Sequence, residues 1–187
     1  MQMNRWIAAG IGLGAMLMST FAWASPPATA NSVQLGLGFR YGFELEEGDF
    51  NPWKTGLGVS GGFTLPNAIY LGGDFDYFFG DKQDFPGGGD QRANVWQIVA
   101  EGGYDLGVGP SFVVRPKVGV GVADLMSEVC LPGFPCVSNS ETHPVIAPGA
   151  TFILIASRFS LTLDFRYNLT LADPTLKALI FSAGVGF

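Results

Sequence analysis

The feature that most narrows what this chain can become is a strict alternation near its end. From Phe159 to Leu169 every odd position is large and apolar, and every even position is polar or charged. After a short Ala-Asp-Pro-Thr turn, Leu179, Phe181, Ala183, Val185 and Phe187 alternate with Ala178, Ile180, Ser182, Gly184 and Gly186. A period of two belongs to a strand with one greasy and one wet face; a helix would repeat every 3.6 residues.

The same period marks eight segments, roughly 33–43, 53–65, 68–79, 93–106, 111–123, 144–156, 159–169 and 176–187. Each is about the 9–11 residues that cross a bilayer as a tilted strand, or slightly more. Short connections at 65–68, 106–111 and 156–158 alternate with longer ones at 44–52, 80–92 and 124–143, while 170–175 is intermediate. An even number of strands with alternating short and long connections is the up-and-down transmembrane pattern, with the short turns in the periplasm.

Bulk decides which face is inside. One face carries residues such as Val33, Leu35, Leu37, Phe39, Trp53, Leu57, Phe75, Trp96, Val120, Ile146 and Phe152, too much for an interior that side chains only just fill. The other face is rich in glycine and carries ten charges: Arg40, Lys54, Asp74, Asp76, Glu101, Asp105, Arg115, Lys117, Asp164 and Arg166. Five basic and five acidic groups balance, as a confined lumen requires, because an unpaired buried charge is expensive. The greasy face is therefore expected to meet lipid; a soluble periplasmic lipocalin-like binding barrel would need the phase inverted. Tyr41, Phe43, Trp53, Tyr77, Phe79, Trp96 and Tyr167 fall toward the long loops, and Phe63, Tyr104, Phe112, Phe159 and Phe187 toward the short turns. Those are two interfacial aromatic bands.

The start of the chain reads as a signal peptide. Arg5 precedes an apolar run from Trp6 to Phe21, and Ala22-Trp23-Ala24 supplies a cleavage site before Ser25. The expected organisation is a signal peptide at 1–24, a short loose periplasmic leader at 25–32 and a barrel at 33–187. Without Arg5, nine basic residues face 16 acidic ones, which disfavours nucleic acid as a partner. Eleven acidic residues, Glu44 to Asp173, sit in or near the long loops against Lys82, Arg92 and Lys177, so that rim should be negative.

Signal peptide, eight amphipathic strands, a charged lumen and a terminal aromatic together resemble the small eight-stranded outer-membrane barrels, such as the OmpA membrane domain and OmpX. The resemblance covers the whole mature chain but is architectural, so no family site is carried over. It implies the outer membrane of a Gram-negative bacterium, contact with outer-membrane lipid and lipopolysaccharide, and a monomer. It also implies that Phe187, ending the last strand, is the assembly signal read by the barrel-assembly machinery.

Cys130 and Cys136 flank a short loop and are expected to pair in an oxidising compartment, making a stiff knob with Leu131 and Phe134. Metal and cofactor sites are not expected, since His143 is the single histidine. Pro116 and Pro148 occupy the fifth and sixth strands in the outward phase. If both nitrogens face the seam between those strands, the seam lacks two hydrogen bonds and could part laterally. Some barrels of this size are lipid A deacylases or acyltransferases, but His143-Pro144-Val145 lacks the deacylase's His-x-Ser, so no enzyme is expected. The leading expectation is a structural or surface-interaction barrel with a charge-plugged lumen and acidic loops. The alternative is an OmpW-like passive transporter of small or lipid-like solutes.

Overall fold

The computed structural model describes residues 28–45, 51–85, 88–156 and 158–187; the expected signal peptide lies outside them. Eight antiparallel strands follow one another: β1 (Ser32–Glu44), β2 (Thr55–Thr64), β3 (Ile69–Asp84), β4 (Asp90–Tyr104), β5 (Phe112–Cys130), β6 (Val137–Ala156), β7 (Phe159–Thr170) and β8 (Leu176–Gly186). A two-residue piece, Leu106–Gly107, continues β4 along β5. Every strand pairs with its sequence neighbours, and β8 returns to pair with β1, so the sheet has no edge within the barrel. Closure is what lets strands lie in lipid, where an open edge would leave backbone groups without partners.

The registers fix the barrel's girth. Partners followed round the sheet run from Leu35 to Gly61, Gly73, Ala100, Val120, Ile146, Leu169 and Lys177, whose carbonyl accepts from the amide of Leu45. The circuit regains β1 ten residues beyond its start, so the strands are tilted across the axis, as closure demands. The last residue takes part in that closure: Phe187 and Leu35 exchange backbone hydrogen bonds of 2.8 and 3.1 Å.

The apolar face looks outward. Val33 is 67% exposed and Phe39 69%, whereas Arg40 between β1's apolar positions is 7% exposed. The phase is thus the reverse of a soluble binding barrel, which this arrangement overturns. On the outer face a run of aromatic rings, Phe43, Phe181, Phe165, Phe152 and Phe112, crosses five strands with neighbouring centroids 5.2–6.4 Å apart. Such contacts add about 0.5–1.5 kcal/mol per pair beyond area burial, and here they stitch the closing seam to the strands beside it.

Two expectations fail for one reason. The amide of Gly42 faces the carbonyls of both Trp53 and Lys54, at 2.8 and 3.0 Å. Two residues oppose one, which is a β-bulge, and a bulge reverses the facing of what lies beyond it. Trp53 is consequently fully buried inside the barrel and not in the aromatic band. Lys54 is turned out of the lumen, half exposed, and bonded to Asp81 at 2.5 Å. That bond holds its ammonium above the usual lysine value.

Four strands run past the barrel. β5 and β6 stay paired from Phe112↔Leu154 out to Val129↔Val137, and β4 stays paired to β5 out to Asp90↔Cys130. The long connections are therefore shorter than expected. Residues 124–130 and 137–143 are strand, and the disulfide joining Cys130 to Cys136 closes a tight tip. The alternation fades there because both faces of a strand outside the membrane meet water.

The prolines also settle differently. Pairing between β5 and β6 is continuous past Pro116↔Ala150 and Val118↔Pro148, so their shared seam is not weakened. The gaps fall on the outer seams. β4–β5 pairing lapses between Gly103↔Lys117 and Leu106↔Val114, and β6–β7 pairing lapses between Ile146↔Leu169 and Gly149↔Arg166. Each resumes in the same register. A strand residue directs its backbone polar groups to one side, and both prolines direct theirs away from the seam that β5 and β6 share.

The described part of the segment expected as a loose leader is ordered. Residues 28–31 form a turn, with Asn31 at a φ of 57°, that tucks Thr29 into the short-turn mouth at 4% exposure.

The bulge yields a test. A Cβ on Gly42 would stand 2.6 Å from Trp53 Cβ and 2.6 Å from its carbonyl oxygen, whereas one on Gly102 meets nothing within 4 Å. Gly42→Ala should cost about 1–3 kcal/mol by overpacking, and Gly102→Ala close to nothing. Urea unfolding of the barrel in lipid vesicles measures both; equal stabilities would refute the packing of Trp53 against β1.

Candidate functional site

The inward phase fills the lumen in three tiers. At the long-loop end Trp53 and Phe78 meet edge to face, centroids 5.3 Å apart, and Val95, Ala123, Ala178 and Ile180 complete a dry lid. Trp53 arrives through the bulge, and Phe78 through the even phase of β3 that also points Tyr70, Asp74 and Asp76 inward.

Below the lid lies a network of charges from five strands. Asp76, fully buried, accepts from Arg40 Nε at 2.7 Å, Arg166 Nη2 at 2.6 Å and Gln97 Nε2 at 2.7 Å. Gln97 in turn accepts from Asn168 at 2.7 Å. Lys117 Nζ reaches both oxygens of Glu101 at 2.8 Å and Asp164 Oδ1 at 2.8 Å. Asp164 also accepts from Thr151 at 2.6 Å and faces Arg166 Nε at 3.1 Å. Glycines make the room. A Cβ on Gly58 would collide with Asp76 Oδ1 and stand 2.7 Å from the Arg40 guanidinium.

The third tier occupies one side of the short-turn end. Arg115 forks onto Asp105, Nε to Oδ1 at 2.5 Å and Nη2 to Oδ2 at 2.9 Å, donates to Gln34 at 2.9 Å, and stacks on Tyr70 with 3.6 Å to the ring centre. Thr64 and Thr29 donate to the same Asp105 carboxylate. Between this tier and the network is a cavity of about 60 Å³, walled on one side by Gly36, Ser60, Ser182 and Gly184.

Of the ten charges assigned to the lumen, nine are there: Arg40, Asp74, Asp76, Glu101, Asp105, Arg115, Lys117, Asp164 and Arg166. Lys54 is the exception. Sequence reasoning overlooked the apolar lid and the amide pair Gln97–Asn168, although the inward phase of β3, β4, β5, β7 and β8 contains all but Trp53. Removing Lys54 breaks the expected balance, since four cations now face five carboxylates.

The second candidate surface is outside. Beyond the barrel rim β3, β4, β5 and β6 form a projecting sheet. β6 first pairs with β7 at Val145↔Thr170, so Val137–His143 is a free strand edge on that side among the described residues. Its residues are exposed apart from His143, which lies 3.5 Å from Glu141 and is partly covered. At the tip, Leu131 is 51% exposed and Phe134 72%. Under the sheet, a hollow of about 360 Å³ between its inner face and the rim is lined by Glu44, Pro52, Leu125, Asn139 and Leu176.

Solved structures share this fold at low identity. Ail, the attachment invasion locus protein of Yersinia pestis, crystallised with the heparin analogue sucrose octasulfate, is similar with a TM-score of 0.63 and 15% identity, over 83% of this chain and 97% of Ail. A major outer membrane protein from Thermus thermophilus gives 0.61 and 10%, over 83% and 99%. Neisserial surface protein A gives 0.54 and 15%, over 82% and 94%. No match is found among the curated proteins. The family model for the outer membrane protein beta-barrel domain matches residues 9–187. With its closed eight-stranded barrel and lipid-facing apolar girdle, the chain belongs to that family and resides in the outer membrane of a Gram-negative bacterium.

Proposed function

We propose that this barrel is a closed, non-catalytic anchor that holds an interaction surface outside the cell, the surface being the projecting β3–β6 sheet. The observation that carries the reading is the free edge at Val137–His143 beside a disulfide-closed tip with exposed Leu131 and Phe134. A strand edge offers unpaired backbone donors and acceptors to an extended partner. The seven residues from Val137 to His143 stand clear of β7, roughly 23 Å of strand. That length is wasted on a barrel whose task ends at the membrane.

Charge narrows the partner. Ail is similar in fold and its crystals hold a sulfated sugar analogue, but here the projecting sheet and rim carry Asp81, Asp84, Asp90, Asp124, Glu128 and Glu141. A polyanion would be repelled, so the fitting partner is a neutral or basic polypeptide. Orientation follows the usual rule of short turns in the periplasm. Phe187, paired to Leu35 at the closing seam, is the proposed assembly signal, and the chain works as a monomer among outer-membrane lipid and lipopolysaccharide.

Three expectations test the reading. Cells displaying the chain should adhere or aggregate more than cells whose β5–β6 hairpin is trimmed to a short turn between Val122 and Pro144; equal adhesion would remove its support. In planar bilayers the wild-type barrel should pass no steady current, because lid, network and lower tier obstruct the lumen in series. Steady conductance would favour a transporter instead. Arg166→Ala should cost on the order of 3–5 kcal/mol in urea unfolding, since it strips the fully buried cation shared by Asp76 and Asp164.

A further inference from the structure

With Lys54 outside, the lumen's charges no longer cancel. Arg115 and Asp105 neutralise each other at the short-turn end. The central network then holds three cations, Arg40, Lys117 and Arg166, against four carboxylates, Asp74, Asp76, Glu101 and Asp164. None of the seven side chains is more than 12% exposed, and no other cation among the described residues is within ion-pair distance of these carboxylates. A surplus charge in so dry a place costs far more than removing it by uptake of a proton.

Distances identify the odd carboxylate. Asp76, Glu101 and Asp164 each have a cation nitrogen at 2.6–2.8 Å. Asp74 has none closer than 3.3 Å: Arg40 stands at 3.3 Å, Arg166 at 3.6 Å and Lys117 at 3.7 Å. The two cations that reach Asp74 Oδ2, Arg166 Nη1 and Lys117 Nζ, also reach Glu101 Oε1, at 3.6 and 2.8 Å. Asp74 and Glu101 are diagonal inward neighbours on β3 and β4, and they share both of these cations.

We infer that Asp74 and Glu101 together bind one proton in the lumen, making the central network neutral. The groups facing the pair are Arg40 from β1, Tyr70 and Asp76 from β3, Lys117 from β5, and Asp164 and Arg166 from β7. The proton exchanges with one side only. Asp74 and Glu101 line the 60 Å³ cavity, whose wall residues Gln34, Ile153, Ser160 and Gly186 also line a pocket of about 230 Å³ at the short-turn mouth. The Trp53–Phe78 lid bars the other end. The barrel therefore carries a titratable site that senses the short-turn compartment and not the loop side.

Infrared difference spectra of the folded chain in ester-free detergent micelles should show the C=O stretch of a protonated carboxyl at neutral pH. That band should be lost in Glu101→Gln and in Asp74→Asn, either of which leaves three carboxylates for three cations. Stability supplies an independent reading. The folded state keeps a proton that the unfolded chain releases above about pH 4. Wild-type stability should consequently fall as pH rises, tenfold in the folding constant per pH unit until the folded state gives the proton up. Glu101→Gln should lack that slope. A wild type with no protonated-carboxyl band would overturn the inference whether or not either variant folds. So would stability that follows sodium concentration instead of pH, which would mean a small cation occupies the pair.

Discussion

Closing eight tilted strands on themselves is the constraint on which everything else in this molecule rests. The outside must be apolar because lipid offers no hydrogen bonds, and the inside is too narrow for anything but side chains. Both demands fall on alternate residues of the same strand. That is why glycine and long charged chains share the inward phase: each large inward group occupies space that a glycine on a neighbouring strand has vacated. Gly58 beneath Arg40 and Asp76, and Gly62 against the Tyr70 ring and hydroxyl, where a Cβ would collide, are instances of one rule.

The lumen's chemistry follows from that crowding. A buried ion pair is poor evidence for stability by itself, since desolvation offsets much of the attraction. Here, however, the lumen is filled by groups that hold one another across the barrel: Arg166 on β7 with Asp76 on β3, Arg40 on β1 with the same carboxylate, Lys117 on β5 with Glu101 on β4. These bonds link strands that the backbone ladder does not pair directly, Lys117 and Glu101 excepted. The network thus braces the cylinder from within while the outer aromatic run braces it from the lipid side.

How much of this could be read in the sequence depended on where two solvents meet. Within the membrane the strand faces see lipid and lumen, and their alternation gave strand, phase and all nine of the lumen charges. Where the faces see the same solvent, as in residues 124–130 and 137–143, alternation carries no information and strand was mistaken for loop. The errors at Trp53 and Lys54 came from a single inserted residue opposite Gly42, which no periodicity argument detects because the phase is sound on both sides of it. The prolines were ambiguous for a different reason. Sequence shows that two outward residues on adjacent strands share a direction for their backbone groups, but only the register shows which one.

Misplacing Lys54 had a further consequence, because charge neutrality was the argument that identified the lumen in the first place. The count of five against five pointed to the correct face, yet the true interior is short of one cation. A confined network must still be neutral, and when side chains do not supply the balance a mobile ion or a proton does. The two ends of the barrel then cease to be equivalent. An aromatic lid excludes water above the surplus carboxylate, whereas polar side chains and a small cavity connect it with the short-turn mouth. A plug built wholly of matched pairs would be inert, but one built a charge short must stay in exchange with the compartment that completes it.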